Sequence, residues 1–207
     1  MANRVVLLVA LVLPMLAQTS RVPFRRCPSD GQTGPIGAPK GRTAVVHLEP
    51  KMAMGLAYYQ AVGPRVLAPR GWHCFGLYGS SGDILYIAPE PIQPDLSAQP
   101  PRGAGVVLHN VIGGGSGTSM VTPVIARVFP QYWPLVRGLI QAGDLSEEDN
   151  VFGPYPTDKL IRQTTTLVQF QTPPHSEGLG TMESFKPSDE PIDGLAIRSS
   201  TAASTRL

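Results

Sequence analysis

The sequence predicts a single small α+β domain with a mostly antiparallel sheet, two to three helices and long loops rich in glycine and proline. Short β-branched and aromatic runs alternate with runs of helical spacing, without the regular repeat that builds a parallel sheet. Hydrophobic residues make up 42% of the 207 residues, an ordinary share for one folded domain. Glycine and proline number 22 each, which stays below the share typical of low-complexity chains.

Strands are predicted where β-branched or aromatic runs are bounded by turn residues. The clearest pair is residues 71–78 and 83–88, separated by the sequence GSSG, which predicts a hairpin with a four-residue connection. Further strands are expected at residues 43–48, 105–112, 165–170 and 191–197.

Helices are predicted at three places. Residues 51–61 (KMAMGLAYYQA) are apolar on one side at helical spacing, and Gly63 follows as a stop signal. Residues 119–129 and 131–142 carry the other two patterns, the second of which ends at Gly143.

The N-terminus has the features of a secretory signal peptide over residues 1–17. Arg4 gives it a basic start, and the apolar run that follows is shorter than the roughly 20 residues that a membrane span needs. An uncleaved N-terminal anchor is the alternative. Cleavage after Ala17 would place the protein in the periplasm or outside the cell, with no stable membrane span after the signal is removed.

The domain boundaries follow from this assignment. We expect one α+β domain over residues 22–197. Residues 198–207 end in SSTAASTRL, which has no pattern that would bury side chains, so a disordered tail is expected there.

The chain has two cysteines, Cys27 and Cys74, and both lie beyond the expected cleavage point. An isolated pair in a small exported domain favours a disulfide, with two buried thiols as the alternative. Closing this loop would stabilise the fold by about 4 kcal/mol in the chain-entropy model. No CxxC pair is present, so the sequence supports neither a thioredoxin-like redox site nor a zinc knuckle.

The charge balance argues against a nucleic-acid partner. Lysine and arginine number 17 and aspartate and glutamate 15, and the basic residues do not cluster in sequence beyond Arg25-Arg26. The partners that remain are a small molecule or a protein of the cell envelope.

Two short segments resemble a group of uncharacterised exported bacterial proteins. Residues 67–74 (LAPRGWHC), followed by GSSG, carry a GWxC motif, and residues 172–181 (TPPHSEGLGT) carry the second motif. The resemblance covers most of the mature chain and implies export and a single domain, but it supplies no activity. Residues after Ile197 differ from that group of proteins, which we expect to continue with apolar strand sequence at this point. A truncated or altered C-terminus is one explanation of the difference.

The segment GTSMVTP resembles the stretch that carries the nucleophilic serine of subtilisin-like proteases. The matching positions are Gly117, Thr118, Ser119, Met120 and Pro123. No upstream histidine is followed by Gly-Thr, and no Asp-Ser-Gly or Asp-Thr-Gly is present, so the base and its orienting acid have no match. We interpret the protease match as coincidental.

Helix-start chemistry explains the same segment. Thr118 or Ser119 is expected to cap a helix that follows the glycine loop, a contribution of about 1 kcal/mol. Exposed N–H groups at such a helix start can also hold an anion. Ser116, Gly117, Thr118 and Ser119 are therefore the candidate ligand-binding residues, with a purely structural loop as the alternative.

Other chemistry-bearing residues do not assemble into a recognisable site. The pairs His47 with Glu49 and His73 with Cys74 lack the helical spacing of zinc ligands, and the acidic residues 147–149 lack the pattern of a calcium loop. No metal and no cofactor is predicted. Aromatic residues of the hairpin could form a ligand platform, but core packing is the favoured interpretation. The residues concerned are Trp72, Phe75, Tyr78 and Tyr86.

Two function classes are consistent with these observations. The favoured one is a non-catalytic exported domain that binds a small molecule or an envelope partner. The alternative is a hydrolase whose site is not recognisable from sequence. Titratable groups that converge near Ser119 would favour the hydrolase, and an apolar groove without them would favour binding.

Overall fold

The computed structural model describes residues 19–92, 104–112, 114–182 and 185–198. Over these residues the chain forms eleven strands and three α-helices. In chain order they are β1 (Thr19–Arg26), β2 (Ser29–Gly31), β3 (Thr43–His47), α1 (Pro50–Ala53), β4 (Leu56–Gln60), β5 (Arg65–Pro69), β6 (His73–Gly79), β7 (Gly82–Ala88), β8 (Val106–Val111), α2 (Ser116–Val128), α3 (Trp133–Gln141), β9 (Lys159–Gln163), β10 (Leu167–Thr172) and β11 (Ile192–Ile197). The predicted α+β class is confirmed.

Three sheets contain these strands. Their orders are β3-β1-β4-β5, β2-β6-β7-β8 and β11-β10-β9. Most neighbours are antiparallel, but β1 runs parallel to β4 and β2 runs parallel to β6. The long strand β1 pairs with two strands. Its first five residues pair with β3, and its last three residues pair with β4.

The first two sheets meet in one apolar core. The alternation of buried residues along β4 and β5 directs Ala57, Tyr59 and Ala68 toward Leu85 and Ile87 of β7. The Tyr59 hydroxyl donates to the carbonyl of Pro69 at 2.7 Å, so this fully buried ring keeps a partner for its polar end.

A second core lies between the helices and the third sheet. Apolar residues of α2 and α3, among them Ile125 and Val136, pack against Val168 and Phe170 on the inner face of β10. A 3-10 turn at Leu179–Thr181 completes this core by burying Leu179.

The helix predicted over residues 51–61 is wrong. Only Pro50–Ala53 is helical, and Leu56–Gln60 forms strand β4, which lies between β1 and β5. Burial along β4 alternates with the period of two that a strand requires. Pairing on both sides therefore overrides the helical spacing of the apolar residues.

The predicted hairpin is present with a tighter turn. Gly79 pairs with Gly82, so the connection is the two residues Ser80 and Ser81 in place of four. Gly82 takes a φ of 139°, a conformation that L side chains rarely adopt.

The expected signal peptide at residues 1–17 and residues 199–207 of the expected tail lie outside the described residues, so both stay predictions. Arg198, the last residue described, donates from its backbone N–H to the carbonyl of Thr166 at 2.8 Å and from its guanidinium to the hydroxyl of Tyr132 at 2.6 Å.

Candidate functional site

The predicted disulfide between Cys27 and Cys74 is confirmed. It joins the residue after β1 to the second residue of β6, with a Cα–Cα distance of 5.3 Å across 47 residues of sequence. Cys27 is fully buried, whereas Cys74 is half-buried and reaches a surface cleft. The bond therefore ties together two strands at the rim of that cleft.

The cleft has a volume of about 830 Å³ and is formed by three separate segments. These are the end of β1, the residues before β3 and the start of β6. The lining residues are Phe24, Arg25, Arg26, Lys40, Gly41, Arg42, Trp72, His73 and Cys74. We call this set the basic cleft.

Backbone and ring contacts hold the first two segments side by side. The N–H of Phe24 donates to the carbonyl of Arg42 at 3.1 Å. The Phe24 ring lies over Gly41, where an added Cβ would come within 2.6 Å of the ring, and its centroid is 5.9 Å from that of Tyr58. Glycine at position 41 is what lets this loop approach the ring so closely.

The GWHC motif supplies the third segment. Gly71 has a φ of 91°, which makes the turn that leads into β6. Trp72 packs partly against the first core, and its carbonyl accepts a hydrogen bond from the Tyr59 hydroxyl at 3.3 Å. Cys74 closes the disulfide. Each residue of the motif except His73 thus has a structural task, and His73 is exposed at the cleft.

Positive charge dominates the cleft. Arg25, Arg26, Lys40 and Arg42 are all exposed, and none of them forms an ion pair with any described residue. No aspartate or glutamate lines the cleft within the described part of the chain. Four cations gathered at one place repel one another, and the resulting positive potential attracts negative charge.

The sequence indicates only part of this cleft, namely the basic pair Arg25-Arg26, the GWHC motif and the disulfide. Lys40 and Arg42 lie more than a dozen positions further along the chain, in a loop whose path only the β1–β3 pairing determines. The spaced basic residues flanking Gly41 were the available signal.

The predicted residues Ser116, Gly117, Thr118 and Ser119 form the first turn of α2. The expected cap is wrong, because Gly115 is the N-cap and no side chain caps the helix. The Ser119 hydroxyl instead donates to the carbonyl of Ser116 at 3.0 Å. Gly117 is buried where an added Cβ would collide with the carbonyl of Ile112, so the close approach of the helix to the chain after β8 requires glycine here.

The start of α2 lies next to the turn of the β6–β7 hairpin. The hydroxyls of Ser81 and Ser116 are 2.6 Å apart, and a small pocket of about 260 Å³ lies at the turn. Ser81, Asp83, His109 and Met120 are among the residues that line it. The pocket places Asp83 and His109 on the same surface as Met120, which directly follows the predicted segment.

Asp83, which lines this pocket, has a perturbed pKa. Burial raises its pKa above the ordinary 3.8, while a hydrogen bond from Asn110 and the nearby His109 act in the opposite direction. The Asn110 amide donates to one carboxylate oxygen at 3.3 Å, and the other oxygen is buried without a hydrogen-bond partner among the described residues. The arrangement orients Asp83 toward the sheet and provides no contact to the Ser119 hydroxyl.

The second motif, TPPHSEGLGT, has an internal role. The hydroxyl of Thr172 donates to one oxygen of Asp158 at 2.6 Å and accepts the N–H of Gly180 at 3.0 Å. The other oxygen of Asp158 accepts the N–H of Leu179 at 2.9 Å. The motif therefore folds its loop against the end of β10, with Asp158 from outside the motif joining Thr172 to Leu179.

The hairpin aromatics divide between core and surface. Phe75 and Tyr86 are buried, as core packing predicts, and the Tyr78 hydroxyl donates to the carbonyl of Gly34. Trp72 alone of the four lines the basic cleft. No group of three or more His, Cys, Asp or Glu side chains that could hold a metal ion occurs in residues 19–92, 104–112, 114–182 and 185–198.

No helix within the described ranges is long and apolar enough to cross a membrane. Comparison of the chain with protein-family models, with curated proteins and with solved structures finds no match.

Proposed function

We propose that the protein is a non-catalytic exported binding domain and that the basic cleft binds an anionic small molecule or an acidic group of an envelope partner. The single observation that carries this proposal is the concentration at one cleft of four cations that form no ion pair within the described residues, in a chain whose total charge is only +2. Like charges held at one site weaken the fold unless an anion compensates them.

The features of the chain fit an exported protein best. A disulfide persists in oxidising compartments and is rare in the cytosol. The basic start and short apolar run of residues 1–17 indicate a signal peptide, and the GWHC and TPPHSEGLGT motifs resemble those of exported bacterial proteins. We therefore assign the protein to the periplasm or the extracellular space.

Binding is favoured over hydrolysis by the surroundings of Ser119. Its hydroxyl is engaged with a backbone carbonyl in its own helix turn, and this bond gives the hydroxyl no base. Among the described residues, the lining of the basic cleft includes no serine and no carboxylate that could act as a nucleophile.

A pair of charge-reversed variants tests the proposal. Arg25→Glu with Arg42→Glu changes the cleft, whereas Arg65→Glu with Arg162→Glu makes the same change of charge at exposed strand positions elsewhere. Binding of tripolyphosphate and of citrate is measured by calorimetry on the oxidised protein. We expect the cleft variant to bind at least about tenfold more weakly than the control variant, because it loses adjacent cations and not only net charge.

Equal weakening in both variants would refute the cleft as the site. Turnover of ester, peptide, glycoside or phosphate substrates that disappears on replacing one polar residue, with folding intact, would establish the hydrolase alternative.

A further inference from the structure

We infer that the ligand of the basic cleft is an acidic glycan chain, in which sugar rings carry carboxylate, sulfate or phosphate groups. This inference rests on the proposed function and narrows it to one chemical class. It follows from three properties of the lining: the hydrogen-bonding character of its side chains, its aromatic rings and its size.

The charged side chains of the cleft only donate hydrogen bonds. Arginine offers a planar fork of N–H groups that matches two oxygens of a carboxylate, sulfate or phosphate, and lysine offers an ammonium group. Arg25, Arg26, Lys40 and Arg42 therefore require a ligand rich in acceptor oxygens. His73 is the one lining side chain with a nitrogen that can accept.

Aromatic rings flank these donors. Trp72 and Phe24 are half-buried, and both line the cleft beside the cations. The flat C–H faces of sugar rings pack against such side chains, which present apolar surface at a low entropic cost. An inorganic oxyanion would leave both rings uncovered, so the rings indicate a ligand with an apolar face as well as negative charge.

The dimensions indicate a chain and not a single sugar. The volume of about 830 Å³ lies near the upper end of the range for small-ligand sites, roughly 300–1,000 Å³. The cations come from two of the three segments, Arg25 and Arg26 at the end of β1 and Lys40 and Arg42 before β3, so acidic groups on successive sugars could meet both sets.

Two other polyanions fit less well. An acidic peptide brings backbone N–H groups that need acceptors, and the cleft side chains provide almost none. A nucleic-acid strand requires a basic track along its backbone, whereas Arg25, Arg26, Lys40 and Arg42 are gathered at one place.

The test uses Trp72 as its own reporter. The chain has two tryptophans, so Trp133→Phe leaves Trp72 as the only one. Hexagalacturonate, which carries carboxylates, and a heparin hexasaccharide, which carries sulfates, are titrated against this protein while its emission is followed. Four reference ligands are included: polyphosphate for charge without rings, maltohexaose for rings without charge, hexaglutamate for an acidic peptide and hexathymidylate for a nucleic acid.

We expect an acidic hexasaccharide to change the Trp72 emission and to bind at least about tenfold more tightly than each reference ligand. The ratio of the two saccharides identifies the acidic group. Trp72→Leu, which keeps an apolar side chain against the core, removes the reporter, so its binding is measured by calorimetry; it should weaken saccharide binding several-fold and leave polyphosphate binding unchanged. If that variant fails to fold, Phe24→Leu serves the same purpose.

The outcomes separate the two proposals. If polyphosphate, hexaglutamate or hexathymidylate binds as tightly as the saccharides, and Arg25→Glu with Arg42→Glu abolishes that binding, the glycan inference is wrong and the anion site stands. If the charge-reversed cleft variant binds every ligand as the wild type does, the proposed function is wrong.

Discussion

Asp83 shows how a single half-buried carboxylate makes the stability of this fold depend on pH. One of its oxygens accepts from Asn110, and the other is buried without a partner in the described part of the chain. Burial disfavours the charged form and raises the pKa above 3.8. The folded protein therefore holds the Asp83 proton more tightly than the unfolded chain does.

We predict that Asp83→Asn stabilises the protein at pH 7 and that this advantage disappears on acidification. Above the raised folded-state pKa the wild-type carboxylate is ionised and destabilises the native state. As the pH falls through that pKa toward 3.8, protonation removes the penalty. Urea denaturation of both proteins between pH 7 and pH 3.5 measures the difference.

Asp144→Asn is the matched control, because Asp144 is exposed and its substitution makes the same change of charge. A stability difference for Asp83→Asn that stays constant across this pH range would contradict the assignment.

Thr172 is the second residue whose contribution to stability a single substitution can measure. Its side chain is fully buried, and its hydroxyl joins Asp158 to the backbone of the GLGT loop. We predict that Thr172→Val, which keeps the shape and removes both hydrogen bonds, lowers the free energy of unfolding by about 1–3 kcal/mol. Denaturant titration measures the loss.

Thr166→Val, at an exposed position in the turn before β10, controls for the substitution itself. An effect at Thr172 no larger than at Thr166 would mean that the network contributes nothing to stability.

At the scale of single elements, α2 begins without a side-chain cap. Ser119 lies in its first turn and bonds to the carbonyl three residues earlier, which satisfies the hydroxyl but no backbone N–H. We predict that Ser119→Ala changes the free energy of unfolding by less than about 1 kcal/mol, because alanine is the better helix former and the lost bond is exposed.

A fluorophosphonate probe should leave Ser119 unlabelled in the folded protein, as judged by mass spectrometry of its peptide. Stoichiometric labelling that unfolding abolishes would identify a nucleophilic serine and overturn this prediction.

The elements that the sequence predicts correctly are those whose local pattern agrees with their tertiary surroundings. The hairpin of β6 and β7 has aromatic and β-branched strands around a serine-glycine turn, and α2 follows a glycine loop at helical spacing. Strand β4 was mistaken for a helix because its apolar residues suit either structure, and only its pairing with β1 and β5 decides between them.

Other strands were missed because their signals are weak. Strand β1 contains Pro23 and three arginines in its eight residues, and β9 is almost wholly exposed. Both carry little of the alternation on which recognition depends. The sequence does not predict the basic cleft for a related reason. Because its pattern does not indicate β1, it gives no sign that the arginines of this strand lie beside the loop before β3.

At the scale of the whole molecule, the Cys27–Cys74 bond links stability to the shape of the basic cleft. Cys27 directly follows Arg25 and Arg26, and Cys74 directly follows Trp72 and His73. The bond therefore connects a strand of the first sheet to a strand of the second at the point where both form the cleft wall.

We predict that Cys27→Ser with Cys74→Ser lowers the free energy of unfolding by about 4 kcal/mol in the chain-entropy model for a 47-residue separation. We also expect weaker anion binding, because the end of β1, which carries Arg25 and Arg26, is no longer tied to β6 and the ligand must order it. Denaturant titration gives the first quantity and calorimetry with tripolyphosphate the second.

Thr172→Val provides the comparison that separates these effects. It also destabilises the protein, but it acts in the third sheet and touches no cleft residue. If stability alone governed binding, both variants would bind in proportion to their folded fraction. Both variants are measured under conditions where each is folded. We then expect Thr172→Val to retain wild-type affinity and the cysteine variant to lose affinity. Unchanged affinity in the folded cysteine variant would show that each wall keeps its position without the disulfide.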